Sequence, residues 1–145
     1  MIRLATPHDE AAIRACAIEA YTPYIARMGR EPAPMGADYA AQIARGVVYV
    51  EEEESLLGFI TFYDEGEHIL LENVAVTQAA RGRGTGRKLI GLCEAAAQAL
   101  GKPVRLYTNA TMVENLEIYP RLGYAKIDER EENGFHRVYF EKNPA

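Results

Sequence analysis

The sequence has little cysteine, no tryptophan and no long apolar run. Two cysteines are too few for a disulfide scaffold or a cysteine-based zinc site, and they are typical of a reducing compartment. No stretch approaches the roughly 18 apolar residues of a membrane span, and the first residues show no signal-peptide pattern. We therefore expect a cytoplasmic protein that has no membrane partner and holds no metal.

Positive charge is also scarce, because 16 lysines and arginines are outnumbered by 21 aspartates and glutamates, for a net charge of −5. A protein that coats nucleic acid is normally basic, so we expect no nucleic-acid partner. The segment 73–93 departs from this balance, since it contains no acidic residue. An acidic chain with one short basic, glycine-rich segment favours a small anionic ligand. The basic residues of that segment are Arg81, Arg83, Arg87 and Lys88.

Hydrophobic periodicity predicts an α/β fold of the α+β type. The chain has 145 residues, 48% of them hydrophobic, which suffices for one globular domain spanning residues 1–145. Apolar residues at helical spacing alternate with short segments rich in β-branched and aromatic residues. The resulting order is β-α-α-β-β-β-α-β-α-β-β, and we expect a mostly antiparallel central sheet with flanking helices.

Local signals predict several boundaries of these elements. Pro23 should kink or divide the first helix, and the acidic run 51–54 should form a solvated turn between two strands. Thr111 and Glu114 match a capping box that would open the last helix. The Asn-Gly pair at 133–134 is a strong signal for a hairpin between the two final strands.

The segment that indicates a function follows the strand predicted at residues 69–76. Its glycines let backbone N–H groups approach a ligand, and the helix after it adds unpaired donors and a partial positive charge, which suits a pyrophosphate. A Walker loop does not fit, because Lys88 is followed by leucine. A dinucleotide-binding loop fits poorly, because Arg87 stands where the third glycine is needed.

A third type of phosphate loop fits the segment. Arg81-x-x-Gly84-x-Gly86 matches the [QR]-x-x-G-x-[GA] loop of the GNAT superfamily of acyl-CoA-dependent N-acetyltransferases. A second block, residues 107–124, resembles the late helix of that family and the turn that follows it. With the order of elements, these motifs make the chain similar to the superfamily over nearly its whole length. The resemblance implies the acyl-CoA N-acyltransferase fold.

The resemblance also implies acetyl-CoA as the cosubstrate. In the family, backbone amides of the glycine loop hold the pyrophosphate, and the end of the preceding strand pairs with the pantetheine arm, as does a late-helix asparagine. The residues assigned to the coenzyme in this way are Val74, Ala75, Val76, Arg81, Gly82, Arg83, Gly84, Thr85, Gly86, Arg87, Asn109 and Asn115.

The same resemblance assigns catalytic and acceptor-binding residues. Tyr119 matches the usual general acid, although its helical spacing alone would favour a core aromatic. Glu72, in an otherwise apolar strand, is the candidate base, and a structural carboxylate paired with an arginine is an equal alternative. The first helices and their connecting loop often wall the acceptor site in this family. The candidate acceptor contacts are Tyr21, Tyr24, Met28 and Met35.

The expected activity is transfer of the acetyl group of acetyl-CoA to a primary amine of a small molecule or peptide. Direct attack in a ternary complex is favoured, because Cys16 and Cys93 lie on apolar helix stripes and are poor candidates for a covalent nucleophile. A non-catalytic acyl-CoA-binding sensor or interaction module on the same fold is the alternative. A nucleotide-binding domain of Rossmann type is a weaker third hypothesis. The sequence leaves the oligomeric state open, and a homodimer is one option because dimers are common in the family.

Overall fold

A computed structural model describes residues 1–144 of the chain. Within these residues seven strands form one sheet in the order β1-β2-β3-β4-β5-β7-β6, and only the β4–β5 pair is parallel. This confirms the mixed α/β fold with a mostly antiparallel sheet. The strands are β1 Ile2–Leu4, β2 Val48–Glu52, β3 Leu56–Asp64, β4 Ile69–Val76, β5 Val104–Asn109, β6 Ala125–Glu132 and β7 Phe135–Lys142.

Five α-helices flank this sheet. The first predicted helix is divided at Pro23, where a 3-10 turn at Thr22–Tyr24 separates α1 from α2. A proline cannot donate the backbone hydrogen bond that a continuous helix needs, which explains the division. The helices are α1 Glu10–Tyr21, α2 Ile25–Met28, α3 Tyr39–Ala44, α4 Thr85–Leu100 and α5 Val113–Arg121.

The helices cover the sheet on two faces. Side chains of α1 and α3, such as Ile13 and Tyr39, pack with Phe59 on one face. Side chains of α4 and α5, such as Leu89 and Tyr119, pack on the other face with residues of β3, β4, β5 and β7. Because successive residues of a strand point to opposite faces, each central strand contributes to both clusters.

Strands β4 and β5 separate soon after they begin. They pair only at Ile69 with Val104 and at Leu70 with Arg105, although both strands continue for several residues. A β-bulge in β4 accompanies the separation, because Thr61 pairs with Asn73 while the next residue of β3 pairs with Leu71. The divergence leaves an opening between the carboxyl ends of the two strands.

Two local predictions are wrong. Glu51 is not in a solvated turn: it belongs to β2, is only 4% exposed, and accepts a hydrogen bond of 3.0 Å from the Thr85 hydroxyl. Because that partner lies 34 residues away in sequence, the acidic run itself gives no sign that Glu51 is buried. Thr111 does not cap α5, because its hydroxyl donates instead to the side chain of Asn109, and Met112 is the residue before the helix.

The hairpin prediction at 133–134 is confirmed. Asn133 has φ 52° and Gly134 has φ 81°, between β6 and β7. Two consecutive residues with positive φ are typical of the tight turn that joins antiparallel strands, and Asn-Gly is the favoured pair for it.

Candidate active site

The opening between β4 and β5 is a cleft of about 420 Å³. Residues 71–76 of β4 line one side and residues 106–109 of β5 line the other. Both helical layers contribute to it, since α1 and the loop after α2 reach it from one face and α4 and α5 from the other. Because the cleft is open to both faces of the sheet, it can receive one ligand from each face.

The glycine loop lies beside this cleft at the start of α4. Gly82 and Gly84 have φ 79° and φ 81°, a conformation that side chains disfavour, which explains the glycines. The loop amides of Arg81 and Arg83 are used internally, because they donate to the carbonyls of Gln78 and Ala80. These two amides already have acceptors in the loop, and the assignment of the loop to the coenzyme stays a prediction. In the segment from Arg81 to Arg87, five backbone N–H groups have no acceptor among residues 1–144, and they are those of Gly82, Gly84, Thr85, Gly86 and Arg87.

The basic side chains of the loop divide into two pairs. Arg83 donates to Glu53 at 2.8 Å, and the Lys88 ammonium lies 3.9 Å from the Glu51 carboxylate. Arg81 and Arg87 form no ion pair with any of residues 1–144, so their charges are available to an anion beside the helix N-terminus. The charge pattern of the sequence does not distinguish the two pairs, since the acidic partners come from β2 and the turn after it.

Two contacts hold the N-terminus of α4 against the sheet. The Thr85 hydroxyl donates to the buried carboxylate of Glu51, and Thr85 itself is only 2% exposed. Gly58 of β3 lies under the same turn, where a Cβ atom would lie 3.1 Å from Thr85 Cγ2 and 2.7 Å from the carbonyl oxygen of Ala75. The loop amides therefore sit on a closely packed support. Thr85 contributes its backbone to the loop and its side chain to this support.

Tyr119 lines the cleft from α5. Its ring is 8% exposed and packs edge-on against Tyr124, with ring centroids 5.7 Å apart. The hydroxyl makes no hydrogen bond to any residue from 1 to 144, and burial raises the pKa of Tyr119 to about 12. A tyrosine with this pKa stays protonated at neutral pH, so its O–H is available as a donor inside the cleft.

The two predicted asparagines differ in what their side chains do. Asn115 of α5 lines the cleft and donates to the Thr108 hydroxyl of β5 at 3.0 Å. Asn109, at the end of β5, also lines the cleft, but its side-chain oxygen accepts from the backbone and hydroxyl of Thr111. Asn109 therefore shapes the turn into α5, and Asn115 ties α5 to β5.

The bulge places Glu72 and Asn73 on the same face of β4. The Glu72 carboxylate accepts hydrogen bonds of 2.8 Å from Gln42 and from the Tyr63 hydroxyl. Asn73 donates to the hydroxyl of Tyr39 at 3.1 Å. Two consecutive residues of a regular strand would point apart. Glu72 has no arginine partner among residues 1–144, so the alternative of a carboxylate paired with arginine is wrong.

Tyr21 lines the cleft, and its hydroxyl is also bound to strand β4. Its hydroxyl donates to the side-chain oxygen of Asn73 at 2.5 Å and lies 3.3 Å from the carbonyl oxygen of Val74. Burial, and next the nearby Tyr119, raise the pKa of Tyr21 well above its usual value. The buried amide of Asn73 thus fixes α1 and α3 to β4, a role that sequence reasoning missed because both partners are distant in sequence.

The remaining acceptor candidates differ in whether they line the cleft. Met28 lines the cleft, whereas Tyr24 and Met35 are not among its lining residues. Tyr24 instead stacks under Arg27, whose guanidinium carbon lies 5.1 Å from the centre of the Tyr24 ring. The prolines of the loop after α2 contribute to the wall in their place. The lining residues that the sequence did not identify include Pro32, Ala33, Pro34, Ala37, Tyr107, Met112, Ile118, Phe135 and Arg137.

Two arginines, in α2 and in the loop after it, connect this part of the chain to α5 and to the β6–β7 turn. Arg27 of α2 binds the carboxylate of Glu114 in α5, with contacts of 2.8 and 3.1 Å. Arg30 donates to the carbonyl oxygen of Asn133 at 2.8 Å and stacks on Phe135. Both contacts are exposed, and exposed ion pairs contribute little free energy, so the loop is positioned without being locked.

Over the part of the chain that the structure describes, no group of three or more His, Cys, Asp or Glu side chains is placed to hold a metal ion. Among the helices of residues 1–144, none has the length and apolar character needed to cross a bilayer.

The chain resembles known acetyltransferases both in sequence and in structure. A sequence profile of the acetyltransferase (GNAT) domain matches residues 44–126. No curated protein sequence matches the chain. The PaiA N-acetyltransferase of Thermoplasma acidophilum in complex with coenzyme A shares the fold at 16% identity and a TM-score of 0.80, over 99% of this chain and 98% of that one.

Two other solved structures give the same result. Naa20 of Chaetomium thermophilum in complex with a bisubstrate analogue is 19% identical, with a TM-score of 0.76 over 99% of this chain and 86% of that one. A GNAT-family acetyltransferase of Bacillus cereus is 16% identical, with a TM-score of 0.72 over 100% and 97%. The profile covers more than half of the chain and the fold is shared along its length, so the protein belongs to the GNAT family of acetyltransferases, which are acyltransferase enzymes.

Proposed function

We propose that this enzyme transfers the acetyl group of acetyl-CoA directly to a primary amine of a small molecule or peptide within a ternary complex. The observation that carries the proposal is that one cleft joins two kinds of chemistry. Gly86 lines the cleft and offers an unpaired N–H at the start of α4, and Tyr119 lines it with an unpaired hydroxyl. The first group suits an anion and the second suits a leaving thiolate.

The pyrophosphate of the coenzyme would lie on the unpaired amides of Gly82, Gly84, Thr85, Gly86 and Arg87. A hydrogen bond to a charged group contributes about 1.5–3 kcal/mol, and the partial positive charge of the helix N-terminus adds about 0.3–1 kcal/mol. The unpaired side chains of Arg81 and Arg87 supply further attraction. Several such contacts together suffice for specific binding of a pyrophosphate.

The pantetheine arm would lie along Val74–Val76. This edge of β4 has no strand partner on the cleft side after Leu70 among the described residues. An extended ligand with amide groups can pair with such an edge as an added strand does. Asn115 lines the opposite wall and would contact the same arm.

Tyr119 would donate its O–H to the sulfur as the thiolate leaves. The pKa of a thiol is about 8.5, whereas the pKa of Tyr119 is about 12. Complete proton transfer from Tyr119 to the thiolate is therefore uphill, and the main contribution of Tyr119 is a hydrogen bond to the developing negative charge. Such a bond lowers the barrier by about 1.5–3 kcal/mol.

Glu72 would receive the acceptor amine. Two of the roughly four acceptor positions of its carboxylate are occupied, by Gln42 and Tyr63, and the others remain for an ammonium or for a water that removes its proton. The two fixed hydrogen bonds hold the carboxylate in one orientation, which favours a positioned base over a mobile one.

A covalent acetyl-enzyme is disfavoured by the state of the cysteines. Cys16 and Cys93 are both buried, and burial raises the pKa of each thiol to about 12. Because the thiolate is the nucleophilic form, neither cysteine can accept the acetyl group efficiently at neutral pH. Direct attack by the amine is then the simpler route.

The test combines calorimetry with a thiol-release assay over a panel of amines. We expect acetyl-CoA to bind, and Tyr119→Phe to lower kcat about 10- to 100-fold while the Kd for acetyl-CoA changes less than about twofold. Tyr49→Phe is the matched control, since Tyr49 is outside the cleft and stacks on Phe62. Binding without turnover on any amine would favour the acyl-CoA sensor, and an unchanged kcat in Tyr119→Phe would exclude the donor role.

A further inference from the structure

Arg137 of β7 lies in the cleft on the face opposite the coenzyme helix. Its neighbour Val138 packs in the cluster formed with α4 and α5. Since successive residues of a strand point to opposite faces, the side chain of Arg137 points away from α4 and its glycine loop. Arg137 is therefore on the acceptor side of the cleft rather than on the pyrophosphate side.

The guanidinium of Arg137 is held in place but sparsely paired. It stacks over Tyr107, 4.4 Å from the ring centre, and lies 5.4 Å from the centre of the Phe135 ring. Among residues 1–144 its one ion pair is a 3.4 Å contact with Glu132, whose carboxylate also accepts from the Tyr139 hydroxyl. A guanidinium has five N–H donors in a planar fork, so most of this fork has no acceptor in the part of the chain that the structure describes.

The unused donors of Arg137 are accessible rather than sealed in the protein. Its side chain is 16% exposed, and within residues 1–144 no fully buried side-chain nitrogen or oxygen is left without a hydrogen-bond partner. The free part of the fork is therefore reached by solvent, and Arg137 is a residue of the cleft wall. A planar fork of this kind matches a carboxylate with two parallel hydrogen bonds.

Arg137 and Glu72 are the two charged residues that line the cleft, and their charges are opposite. Glu72 is held on β4 by Gln42 and Tyr63, and Arg137 of β7 stacks on Tyr107, which lines the same cleft. One carboxylate and one guanidinium therefore line a single cleft, from β4 and from β7.

We infer that the acceptor is a zwitterion of the amino-acid type, whose amine meets Glu72 and whose carboxylate is bound by the fork of Arg137. This inference rests on the proposed acetyl transfer and adds the class of the substrate. The wall formed by Met28 and the prolines Pro32 and Pro34 is apolar, so it suits an amino acid with an apolar side chain. A peptide N-terminus without a nearby carboxylate would leave the free donors of the Arg137 fork without an acceptor from the substrate.

The inference is tested by binding, independently of turnover. N-acetylleucine and N-acetylleucine amide differ in the carboxylate alone, and each is titrated by calorimetry into the enzyme loaded with coenzyme A. We expect the carboxylate form to bind about 10- to 100-fold more tightly, as one charged bidentate pair would give. Equal affinity of the two compounds, or no binding of either at millimolar concentration, would overturn the inference.

Variants assign the effect to one side chain. Arg137→Gln should remove the preference for the carboxylate, and Arg137→Lys should retain part of it, because lysine keeps the charge but not the fork. Arg130→Gln is the matched control: Arg130 stacks on Tyr139 beside Arg137 in the sheet but does not line the cleft. An unchanged coenzyme A affinity reports that each variant folds, and if Arg137→Gln does not fold, the wild-type comparison of the two ligands still decides.

Turnover then separates this inference from the proposed function. Thiol release is compared between leucine and leucine amide, and between methionine and methionine amide. Acetylation of the amides as fast as of the free amino acids, with no effect of Arg137→Gln, would refute the zwitterion and leave acetyl transfer intact. Preferential binding of N-acetylleucine without turnover of any acceptor would support the carboxylate site and contradict the enzyme activity.

Discussion

Alanine at each of three glycines should separate the packing of α4 from its contact with the coenzyme. At Gly58 the added Cβ would lie 2.7 Å from the carbonyl oxygen of Ala75 and 3.1 Å from Thr85 Cγ2. The first of these is a backbone atom, which cannot rotate aside. Either β3 must move from β4, or the first turn of α4 must rise from the sheet.

The cost of this substitution follows from the packing. Forcing an extra methyl group into a filled site costs about 1–3 kcal/mol, and about 1 kcal/mol lowers the Tm of a domain of this size by roughly 2–4 °C. Gly58→Ala should thus lower the Tm by about 3–10 °C. The same turn of α4 carries the backbone amides proposed to bind the coenzyme, so its displacement should break one of those hydrogen bonds. The loss of one such bond should raise the Kd for acetyl-CoA about tenfold.

The two other glycines give opposite patterns. At Gly86 the Cβ would be 3.4 Å from Val76 Cγ2, an ordinary contact, so Gly86→Ala should fold normally. Its methyl group would lie on the cleft wall and weaken acetyl-CoA binding without lowering the Tm. At Gly91 no atom lies within 4 Å, so Gly91→Ala should stabilise α4 by about 0.5–1 kcal/mol and leave the Kd unchanged.

Thermal denaturation with and without acetyl-CoA, together with calorimetry, measures all three variants. The expected result is a lower Tm with weaker binding for Gly58→Ala, weaker binding alone for Gly86→Ala, and a higher Tm alone for Gly91→Ala. A Gly58→Ala protein as stable as the wild type would refute the close approach of α4 to β3. Unchanged binding in Gly86→Ala would show that the coenzyme does not lie against this turn.

Two further predictions concern pH. Burial raises the pKa of Tyr119 to about 12, so kcat should show no alkaline decrease caused by loss of this proton below about pH 11; a decrease near pH 10 that Tyr119→Phe abolishes would contradict this. Arg3 binds Asp9 with contacts of 2.8 and 2.9 Å and is the main cause that lowers the pKa of Asp9 to about 2 from 3.8. Since the folded value is the lower one, the stabilisation is present above about pH 4 and is lost as the pH falls towards 2. The free energy of unfolding should fall by about 1–2 kcal/mol over that interval, and Asp9→Asn, followed by urea denaturation, should remove most of this dependence.

The sequence predicts the elements whose signals are local. β4 is found at its predicted bounds, Ile69–Val76, because an apolar run of β-branched and large residues is typical of a buried strand. The division at Pro23 follows from one residue's missing N–H, and the turn at 133–134 follows from two residues that accept positive φ. None of these depends on a distant partner.

The parts that the sequence does not predict depend on partners far along the chain. Glu51 is buried because α4 brings Thr85 to it, and nothing in a run of four acidic residues marks the first as different. The bulge at Glu72 is a property of the pairing between two strands, so one strand's sequence does not show it. Arg137 becomes a cleft residue only because β7 inserts beside β5.

The bulge has a consequence for how the length of this chain can change during evolution. Before Glu72 the buried residues Ile69 and Leu71 of β4 pack against the α4 layer, and after it the buried Ala75 packs against the α1 layer. Deleting or inserting one residue within Ile69–Val76 would move the side chains of half of the strand to the opposite face of the sheet. Insertions and deletions in descendants should therefore collect in surface turns such as 53–55 and 65–68, while the length of β4 is inherited unchanged.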